Sequence, residues 1–555
     1  MNVFTDDNTA ISIKGFSFAY AGAEGKALDG ISADIGRGEL ALLCGTSGCG
    51  KTTLLRNLKP ELAPAGEKSG AIEVFGRSGL SPRESAEIIG FVMQDPDNQI
   101  VMDSVWLELA FGLENLGVPP EEIGLRIGEI AAFFGIEGWF GKSVFELSGG
   151  QKQILSLAAV IAMQAEIVIL DEPTSQLDPI AAGEFMHMLK RVNKELGTTV
   201  ILSEHLLDEV LADVDKVIYL ENGRTEYCGT GAGFPQFLAA SAKGYAAALP
   251  APTRAAMRHA GQTGEAGEPL PLDVKQGRVW LSNAVKSAEA RADTPSAAAT
   301  TVPQTATPSI TNPASKAAIT AKDIWFRYSK GEDFVLKGLD TEIMCGGLHI
   351  YVGGNGSGKS TLLGVLSGIY KPFKGKVIAP KDKKLCMLFQ DPKSIFVCDT
   401  VADDLREHSA DITDRDVGEI AERLRIGQLL RRHPYDLSAG EMQKAALAKV
   451  LLLRPDILLL DEPIKGLDAF AKREIGDILT GLKESGVTIA MVTHDIEFAA
   501  EYADACSMLF GRAIIANGGA REFFANNMFY TTSVSRMTRG ILDGCVLERD
   551  VELPQ

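Results

Sequence analysis

Basic residues, histidines and long apolar runs are all scarce in this chain of 555 residues. Lys and Arg number 55 against 73 Asp and Glu, which gives a formal net charge of −18. Because a protein that binds nucleic acid needs a basic surface for the phosphates, we expect no nucleic-acid partner. The seven histidines form no cluster, so the sequence gives no sign of a metal site built on histidine.

Cysteine pairs and membrane-spanning segments are also missing from the sequence. The eight cysteines include no C-x-x-C pair and no zinc-type spacing, and the opening residues MNVFTDDNTA contain no signal-like segment. No run of 18 apolar residues occurs anywhere. These absences predict a protein of a reducing, cytoplasmic compartment that does not cross a membrane by itself.

The most informative feature that is present is an internal repeat, because the same series of motifs occurs twice in the same order. The first copy reads GTSGCGKTT (45–53), QDPDNQ (94–99), LSGGQ (147–151), ILDEP (169–173) and SEH (203–205). The second copy reads GGNGSGKST (353–361), QDP (390–392), LSAGE (437–441), LLDEP (459–463) and THD (493–495). A repeat with such regular spacing predicts two paralogous domains.

The composition between the two copies changes to Ala, Thr, Pro, Ser and Gly. Residues 292–315 have no charge after Asp293 and show neither a helical nor a strand period. We therefore predict a first domain at 1–245, a flexible linker at 246–318 and a second domain at 319–555. Within that linker, GRVWLSNAV (277–285) has the pattern of a short strand.

Short apolar runs in each copy alternate with stretches of helical length. IVIL (167–170) and ILLL (457–460) are continuous apolar runs of the kind that a strand buried on both faces requires. The runs VILS (200–203) and IAMVT (489–493) follow helical stretches. This alternation predicts an α/β fold with a largely parallel sheet in each domain.

The motif G-x4-G-K-[TS] occurs in both copies and predicts two phosphate-binding loops. Its glycines allow successive backbone N–H groups to converge on phosphate oxygens at the start of a helix. Lys51 and Lys359 supply charge for the phosphates, and Thr52 and Ser360 supply a hydroxyl for Mg²⁺. The other loop positions expected to contact the nucleotide are Gly45, Ser47, Gly48, Gly50, Thr53, Gly353, Asn355, Gly356, Gly358 and Thr361.

A pair of carboxylates follows the same buried strand in each copy. Asp171 and Asp461 end these strands, where open parallel sheets place their ligands, and a carboxylate there suits Mg²⁺. Glu172 and Glu462 come next and are predicted to orient and polarise an attacking water.

The motif LSGGQ, which opens a helical stretch, gives the chain a resemblance to the ATP-binding-cassette (ABC) ATPases over both repeats. The resemblance implies two P-loop NTPase domains in tandem. Each would have a mainly parallel sheet core, an antiparallel β part and a helical signature subdomain. It also implies that two cassettes pair head to tail within the chain, each ATP lying between the phosphate loop of one and the signature serine of the other.

The resemblance assigns residues to these two sites by motif. Site one would join Lys51, Gln94, Asp171, Glu172 and His205 to Ser438 and Gly440. Site two would join Lys359, Gln390, Asp461, Glu462 and His494 to Ser148 and Gly150. Tyr20 and Tyr328 match the aromatic residue that stacks on adenine, His205 and His494 match the switch histidine, and Gln94 and Gln390 would join Thr52 and Ser360 at Mg²⁺.

The second signature departs from the family pattern. Ala439 replaces the first glycine and Glu441 replaces the glutamine, whereas Ser438 and Gly440 are kept. Our hypothesis is that site one hydrolyses ATP more slowly than site two but is not inactive.

Residues 91–119, FVMQDPDNQIVMDSVWLELAFGLENLGVP, resemble the ATPases of energy-coupling-factor (ECF) importers in the motif Q-x-P-D-x-Q and in AFGLENLGVP. The resemblance implies contact between this segment and coupling helices of a transmembrane partner. Lys393 and Ser394 stand where the first copy has Asp97 and Asn98, which puts a symmetric contact in doubt. Without the resemblance, the segment would be only a surface loop and an amphipathic helix with Val105, Leu109, Leu113 and Leu116 on one face.

Three functions remain open after the sequence is considered. The favoured one is the ATPase of an ECF-type importer for a vitamin, a vitamin precursor or a transition-metal ion. It would lie peripherally on the cytoplasmic side of the cell membrane, with a transmembrane coupling protein and a small substrate-binding membrane protein as partners. A two-cassette ATPase acting on ribosomes is disfavoured by the acidic charge and the nearly uncharged linker, and a fused sugar-importer ATPase by the intact second phosphate loop.

Overall fold

The computed structural model describes residues 8–23, 25–241, 244–263, 269–291, 316–407 and 411–553. It falls into two compact units, one made of Met1–Thr253 with Gly267–Asp273 and the other of Arg254–Ala266 with Val274–Gln555. Among the described helices, none has both the length and the apolar character needed to cross a bilayer.

The first unit alternates strands and helices along the chain. Its strands are β1 (Thr9–Tyr20), β2 (Leu28–Gly36), β3 (Leu40–Cys44), β4 (Gly66–Val74), β5 (Ile89–Val92), β6 (Ile167–Asp171), β7 (Thr199–Ser203), β8 (Lys216–Glu221) and β9 (Arg224–Gly229). Its helices are α1 (Lys51–Leu58), α2 (Pro82–Ile88), α3 (Val105–Leu116), α4 (Pro120–Phe134), α5 (Gly149–Ala162), α6 (Pro179–Leu196) and α7 (Phe234–Ser241).

Two sheets form the β part of this unit. The larger has the strand order β5-β6-β7-β3-β8-β9, in which only β9 runs antiparallel to its neighbour. Every residue of β3, β6 and β7 is buried, as expected for strands covered by helices on both faces. The smaller sheet, β2-β1-β4, is antiparallel throughout.

Helices α3, α4 and α5 form a separate helical part beside the larger sheet. The Ser104 hydroxyl accepts the Leu107 N–H at the start of α3, and Gly117 ends the helix with a φ of 78°, a conformation that glycine adopts without strain. Val105, Leu109 and Leu113 are buried along one face, and Leu116 is half-buried. The amphipathic helix expected from the sequence is therefore present.

The second unit repeats this plan. Its strands are β10 (Ala317–Phe326), β11 (Leu336–Met344), β12 (Leu348–Val352), β13 (Lys374–Ile378), β14 (Leu385–Leu388), β15 (Ile457–Asp461), β16 (Thr488–Val492), β17 (Ala505–Phe510) and β18 (Ala513–Gly519). Its helices are α10 (Lys359–Leu366), α11 (Val401–Glu407), α12 (Asp414–Arg423), α13 (Ala439–Leu451), α14 (Ala469–Glu484), α15 (Ile496–Tyr502), α16 (Ala520–Asn526) and α17 (Ser533–Thr538). Its sheets have the orders β14-β15-β16-β12-β17-β18 and β11-β10-β13. The predicted α/β class, with parallel, antiparallel and helical parts in both halves, is confirmed.

The predicted linker differs from the structure, because its described part contains two helices, α8 (Ala251–Thr263) and α9 (Val274–Arg291). The second of these replaces the short strand expected at 277–285. It packs against α17, and the Arg278 guanidinium donates to the backbone carbonyls of Arg536 at 3.0 Å, Met537 at 3.4 Å and Arg539 at 3.0 Å. Tertiary contacts of this kind stabilise helices whose own pattern is weak. Residues 292–315 lie outside the described residues, so the boundaries at 245 and 318 stay a prediction.

Candidate active site

The residues with predicted chemistry gather at one edge of the larger sheet in each unit. In a parallel sheet the carboxyl ends of neighbouring strands share an edge, and β3, β5, β6 and β7 each end there. We call the residues that follow these strands in the first unit the first cluster: Lys51, Thr52, Gln94, Asp171, Glu172 and His205. The second cluster is Lys359, Ser360, Gln390, Asp461, Glu462 and His494.

Each phosphate loop wraps its own lysine. The Lys51 ammonium donates to the carbonyls of Gly45 at 3.0 Å and Thr46 at 3.3 Å. The Lys359 ammonium donates to those of Gly353 at 2.9 Å and Gly354 at 3.0 Å. Both lysines are therefore buried with their charge held inside the loop that would receive a phosphate.

Glycines shape the turns of both loops. Gly50 and Gly358 precede the helices with φ values of 105° and 100°, which few other residues adopt. The tips of the two loops, Ser47 with Gly48 and Asn355 with Gly356, are exposed. Thr53 and Thr361, in the first turns of the helices that follow the loops, are buried.

A hydroxyl and a carboxylate meet beside each loop. The Thr52 hydroxyl donates to Asp171 Oδ1 at 3.1 Å, and the Ser360 hydroxyl donates to Asp461 Oδ1 at 3.0 Å. Burial raises the pKa of both carboxyl groups above its ordinary value. These oxygen atoms are the ligand type that Mg²⁺ prefers, so the residues present fit that ion.

Glu172 lies at the centre of the first cluster. Its Oε1 is 2.7 Å from His205 Nε2 and 3.8 Å from the Lys51 ammonium, and its Oε2 accepts the Gln94 side-chain N–H at 3.1 Å. Its φ of 46° is unusual for a residue with a side chain, and such strain is often found at functional positions. The structure thus brings together four residues that the sequence predicted for one site.

The second cluster repeats this geometry only in part. Glu462 has a φ of 49°, and its Oε2 lies 3.0 Å from His494 Nδ1. Gln390, however, is exposed. In the first unit the loop that carries Gln94 is held by the Gln99 side chain, which accepts the Met93 N–H at 2.8 Å and donates to the Phe91 carbonyl at 3.1 Å. Ile395 takes the place of Gln99 in the second unit and cannot make these bonds.

Two tyrosines predicted to contact adenine have the same environment in the two units. The Tyr20 hydroxyl is 2.8 Å from the Thr53 hydroxyl, and the Tyr328 hydroxyl is 2.8 Å from the Thr361 hydroxyl. Both threonines immediately follow the loop residues Thr52 and Ser360. The rings are exposed, as a stacking surface requires.

The two signature serines cap helices α5 and α13. Ser148 accepts the Gln151 N–H, and Ser438 accepts the Glu441 N–H; each partner side chain bonds back to the serine N–H. Both serines are exposed. A Cβ added at Gly150 would come within 2.9 Å of the Ala181 Cβ, so the signature helix can approach α6 this closely only with glycine there. At Gly440 the corresponding distance, to the Ala471 Cβ, is 3.3 Å.

Sequence reasoning missed a buried carboxyl group next to the first cluster. Glu204 Oε1 accepts the backbone N–H of Thr174 at 3.1 Å and its hydroxyl at 2.6 Å. Glu204 thereby joins the loop after Glu172 to the segment that carries His205. Burial, together with the nearby Glu172 carboxylate, raises the pKa of Glu204 to about 7. When His205 is aligned with His494, the second unit has Thr493 at this position, and comparing SEH (203–205) with VTH (492–494) could have shown the difference.

We expect a pH effect on stability from Glu204. Its ordinary pKa is 4.5, so between pH 4.5 and about 7 the folded chain keeps a proton that the unfolded chain has lost. The stabilisation is complete below pH 4.5 and disappears as the pH rises through 7. The melting temperature of the parent should therefore fall, relative to that of Glu204→Gln, between pH 5 and pH 8. Glu195→Gln, on the exposed side of α6, is the control, and a parent–variant difference that is independent of pH would contradict the expectation.

Comparison with known proteins identifies the family. The protein-family model described as "ABC transporter" matches residues 28–175 and 336–465. An ABC transporter ATP-binding protein of Bacillus anthracis is 39% identical over 97% of both chains. A protein of Bacillus subtilis named for HMP/thiamine import is 31% identical, covering 93% of this chain and 92% of its own.

A solved structure has the same tandem fold. The archaeal ribosome recycling factor aABCE1, in complex with the stalk protein aP1, has a TM-score of 0.56 at 21% identity, covering 90% of this chain and 89% of its own. Such low identity shows the fold alone. With the family match in both halves and relatives aligned along nearly the whole chain, the protein belongs to the ABC transporter ATPases and carries two ATP-hydrolysing cassettes in one polypeptide.

Proposed function

We propose that the chain is the energy-coupling ATPase of an ECF-type importer for a vitamin, a vitamin precursor or a transition-metal ion. It would bind peripherally to the cytoplasmic side of the membrane through a transmembrane coupling protein, which a small substrate-binding membrane protein accompanies. The Bacillus subtilis relative named for import of HMP/thiamine supports an importer.

The observation that carries this proposal is the construction of the segment Gln94–Gln99. Asp97, at its tip, forms an ion pair of 2.5 Å with Lys152 on the signature helix α5, and the Gln153 side chain donates to the Met93 carbonyl at 3.1 Å. The segment is therefore fastened to the helix that begins at the signature serine. A partner that moves this segment would move the signature as well.

Exposed apolar side chains follow this segment in the chain, and one more comes after Val144, whose N–H donates to the Asp103 carbonyl at 2.9 Å. Val101 is 64% exposed and Phe145 is 82% exposed, and Trp106 and Leu107 are also exposed. Single exposed apolar residues are ordinary, but several beside one loop suit the apolar side of a partner helix. In the second unit Val397 is 74% exposed, but Lys393 and Met442 replace Asp97 and Lys152, so we expect the two units to contact partner helices differently.

Head-to-tail pairing of the cassettes would complete each nucleotide site. The signature serine and glycine, Ser438 and Gly440 or Ser148 and Gly150, would then present a helix N-terminus to the γ-phosphate from the side opposite the phosphate loop. Tyr20 and Tyr328 would stack on adenine. The covalent connection between the cassettes keeps unlike partners at high effective concentration.

Within each site the residues would position water and stabilise charge. Mg²⁺, held by Thr52 with Asp171 and Gln94, or by Ser360 with Asp461 and Gln390, would supply positive charge to the phosphate oxygens. Glu172 and Glu462 would accept a hydrogen bond from the attacking water and hold it in line with the γ-phosphorus. His205 and His494, beside these carboxylates, would donate to the γ-phosphate.

Purification of the tagged chain from its native host in mild detergent tests the proposal. We expect one very hydrophobic transmembrane protein and one or more small membrane proteins to accompany it. The variant Val101→Asp/Phe145→Asp should lose them, because a carboxylate in an apolar contact is costly. Val279→Asp, at an exposed apolar residue of the helix Val274–Arg291, is the matched control and should keep them. Recovery of ribosomes without any membrane protein would overturn the proposal in favour of a soluble motor.

A further inference from the structure

A buried tyrosine beyond the last strand of the first cassette contacts its phosphate loop. Tyr245 lies in a short helical turn, Gly244–Ala248, that follows α7. Its side chain is buried, and its hydroxyl accepts the backbone N–H of Gly45 at 3.1 Å. Tyr245 lies outside the residues that the family model matches, and none of the motifs includes it.

Packing leaves the Tyr245 ring little freedom. Its centroid is 4.9 Å from that of Tyr219 on β8 and 6.3 Å from that of Phe234 on α7. Aromatic pairs at such distances stabilise one arrangement of the rings. The hydroxyl is consequently held at the start of the phosphate loop, where water does not compete for the Gly45 amide.

Gly45 is the residue on which the loop turns. Its φ is 150°, and a Cβ there would lie 2.3 Å from the Leu220 carbonyl oxygen and 2.6 Å from the Cys49 sulfur. Its N–H is bound by Tyr245, and its carbonyl accepts the Lys51 ammonium at 3.0 Å. This N–H and this carbonyl belong to successive peptide units joined at the Gly45 Cα, so a change in the Gly45 backbone torsions would move the carbonyl that holds the phosphate-binding lysine.

We propose that Tyr245 is a positioning residue for ATP binding at the first phosphate loop. Its hydroxyl fixes the amide of Gly45, and through Gly45 it fixes the place from which Lys51 reaches the phosphates. The role concerns nucleotide binding itself and is independent of the transported substrate. The segment that leads out of the first cassette is thus part of that cassette's nucleotide site.

The second unit repeats the spacing of this tyrosine. Tyr245 follows the last residue of α7, Ser241, by four positions, and Tyr530 follows the last residue of α16, Asn526, by four positions. The side chain of Tyr530 packs, partly buried, against the core cluster that includes Val352, the residue before the second phosphate loop. A tyrosine whose role belongs to the cassette, and not to one linker, should recur at the same spacing in both units, as it does here.

The test is Tyr245→Phe in the full-length chain. Phenylalanine keeps the ring but leaves the Gly45 N–H buried without an acceptor, so the loop should rotate to find one. Lys359→Ala is added to remove binding at the second loop, and ATP affinity is measured by displacement of fluorescent TNP-ATP. We expect Tyr245→Phe/Lys359→Ala to bind ATP about tenfold more weakly than Lys359→Ala alone. In an otherwise unchanged chain, KM for ATP should rise about tenfold, with kcat changed less than threefold. The matched control is Tyr227→Phe, whose hydroxyl belongs to the same aromatic cluster but donates to the Thr230 carbonyl at 2.8 Å.

Hydrogen–deuterium exchange of the Gly45 amide gives a second readout. Faster exchange at Gly45 together with weaker ATP binding in Tyr245→Phe, and neither change in Tyr227→Phe, would support the proposal. Faster exchange with unchanged ATP affinity would overturn it, because the hydrogen bond would then serve the fold alone. Equal losses of affinity in the two variants would also overturn it, since the effect would then arise from the aromatic cluster in general.

Discussion

Replacement of both Glu172 and Glu462 by glutamine is expected to lower ATP hydrolysis 100-fold or more while ATP still binds. A glutamine has nearly the same shape but cannot accept a proton or carry negative charge, and positioned carboxylates of this kind contribute on the order of 10²–10⁴-fold. Glu172 lies 2.7 Å from His205 Nε2 and Glu462 lies 3.0 Å from His494 Nδ1, so both carboxylates are placed to act with a histidine. Phosphate release and TNP-ATP binding, measured on the same preparation, separate catalysis from binding.

Glu195→Gln is the control for this experiment. Glu195 lies on α6, paired with Arg191 at 3.1 Å on an exposed surface, and should leave the rate unchanged. A double variant that retained a tenth or more of the parent rate would contradict the assignment of these glutamates.

The single variants separate the two sites. Under head-to-tail pairing, Glu462→Gln leaves the site that uses Ser438, and Glu172→Gln leaves the site that uses Ser148. The Glu441 carboxylate accepts the Ser438 N–H at 2.9 Å, and the Gln151 side-chain oxygen accepts the Ser148 N–H at the same distance, so the two serines have the same capping bond. The added negative charge would repel the γ-phosphate, and we expect Glu462→Gln to be the slower of the two. A higher residual rate in Glu462→Gln than in Glu172→Gln would refute the hypothesis.

The largest effect on stability is expected from Lys449→Met in the second unit. The Lys449 ammonium and Asp404 Oδ1 form a buried ion pair of 2.8 Å, and the same ammonium donates to the Ile395 carbonyl at 2.6 Å. Methionine would fill the space but leave the Asp404 carboxylate buried without its cation. Breaking a buried pair in this way costs roughly 3–5 kcal/mol, which urea unfolding of the full chain would detect.

A double variant and a surface control identify the cause of that loss. Lys449→Met/Asp404→Asn removes the unpaired charge and should be less destabilised than Lys449→Met alone, because the two effects are coupled. Lys393→Met, at an exposed lysine of the neighbouring loop, should change stability little. If the double variant were the less stable one, the unpaired Asp404 charge would not be the cause of the loss.

Local patterns were sufficient to predict the two phosphate loops, the buried strands β6 and β15, and the helices that begin after Ser148 and Ser438. Each depends on residues close together in sequence: glycines at fixed spacing, a continuous apolar run or a capping serine. The structure also brings Gln94 and His205 to Glu172, as the resemblance to the ABC ATPases implied. The sequence motifs did not distinguish Gln390 from Gln94, although Ile395 stands where the first unit has Gln99, whose side chain bonds to Met93 and Phe91.

The sequence did not predict the two helices Ala251–Thr263 and Val274–Arg291, which lie within the expected linker. The bonds from Arg278 to the carbonyls of Arg536 and Arg539 join positions about 260 residues apart, and no local pattern records such a contact. The same holds for Tyr245 and Gly45, which are 200 residues apart. A sequence rich in alanine and threonine can be a linker or a helix, and tertiary contacts decide between them.

The left-handed backbone of Glu172 and Glu462 has a consequence for how this protein can be improved. Glycine adopts such a conformation without strain, and removing the Glu172 side chain would also relieve its repulsion of Asp171 and Glu204, whose pKa values that carboxylate helps to raise. Selection for heat resistance alone would therefore favour glycine at 172 and 462. A library screened only for thermostability would enrich chains that have lost ATP turnover, so engineering of this enzyme needs an activity screen at every round.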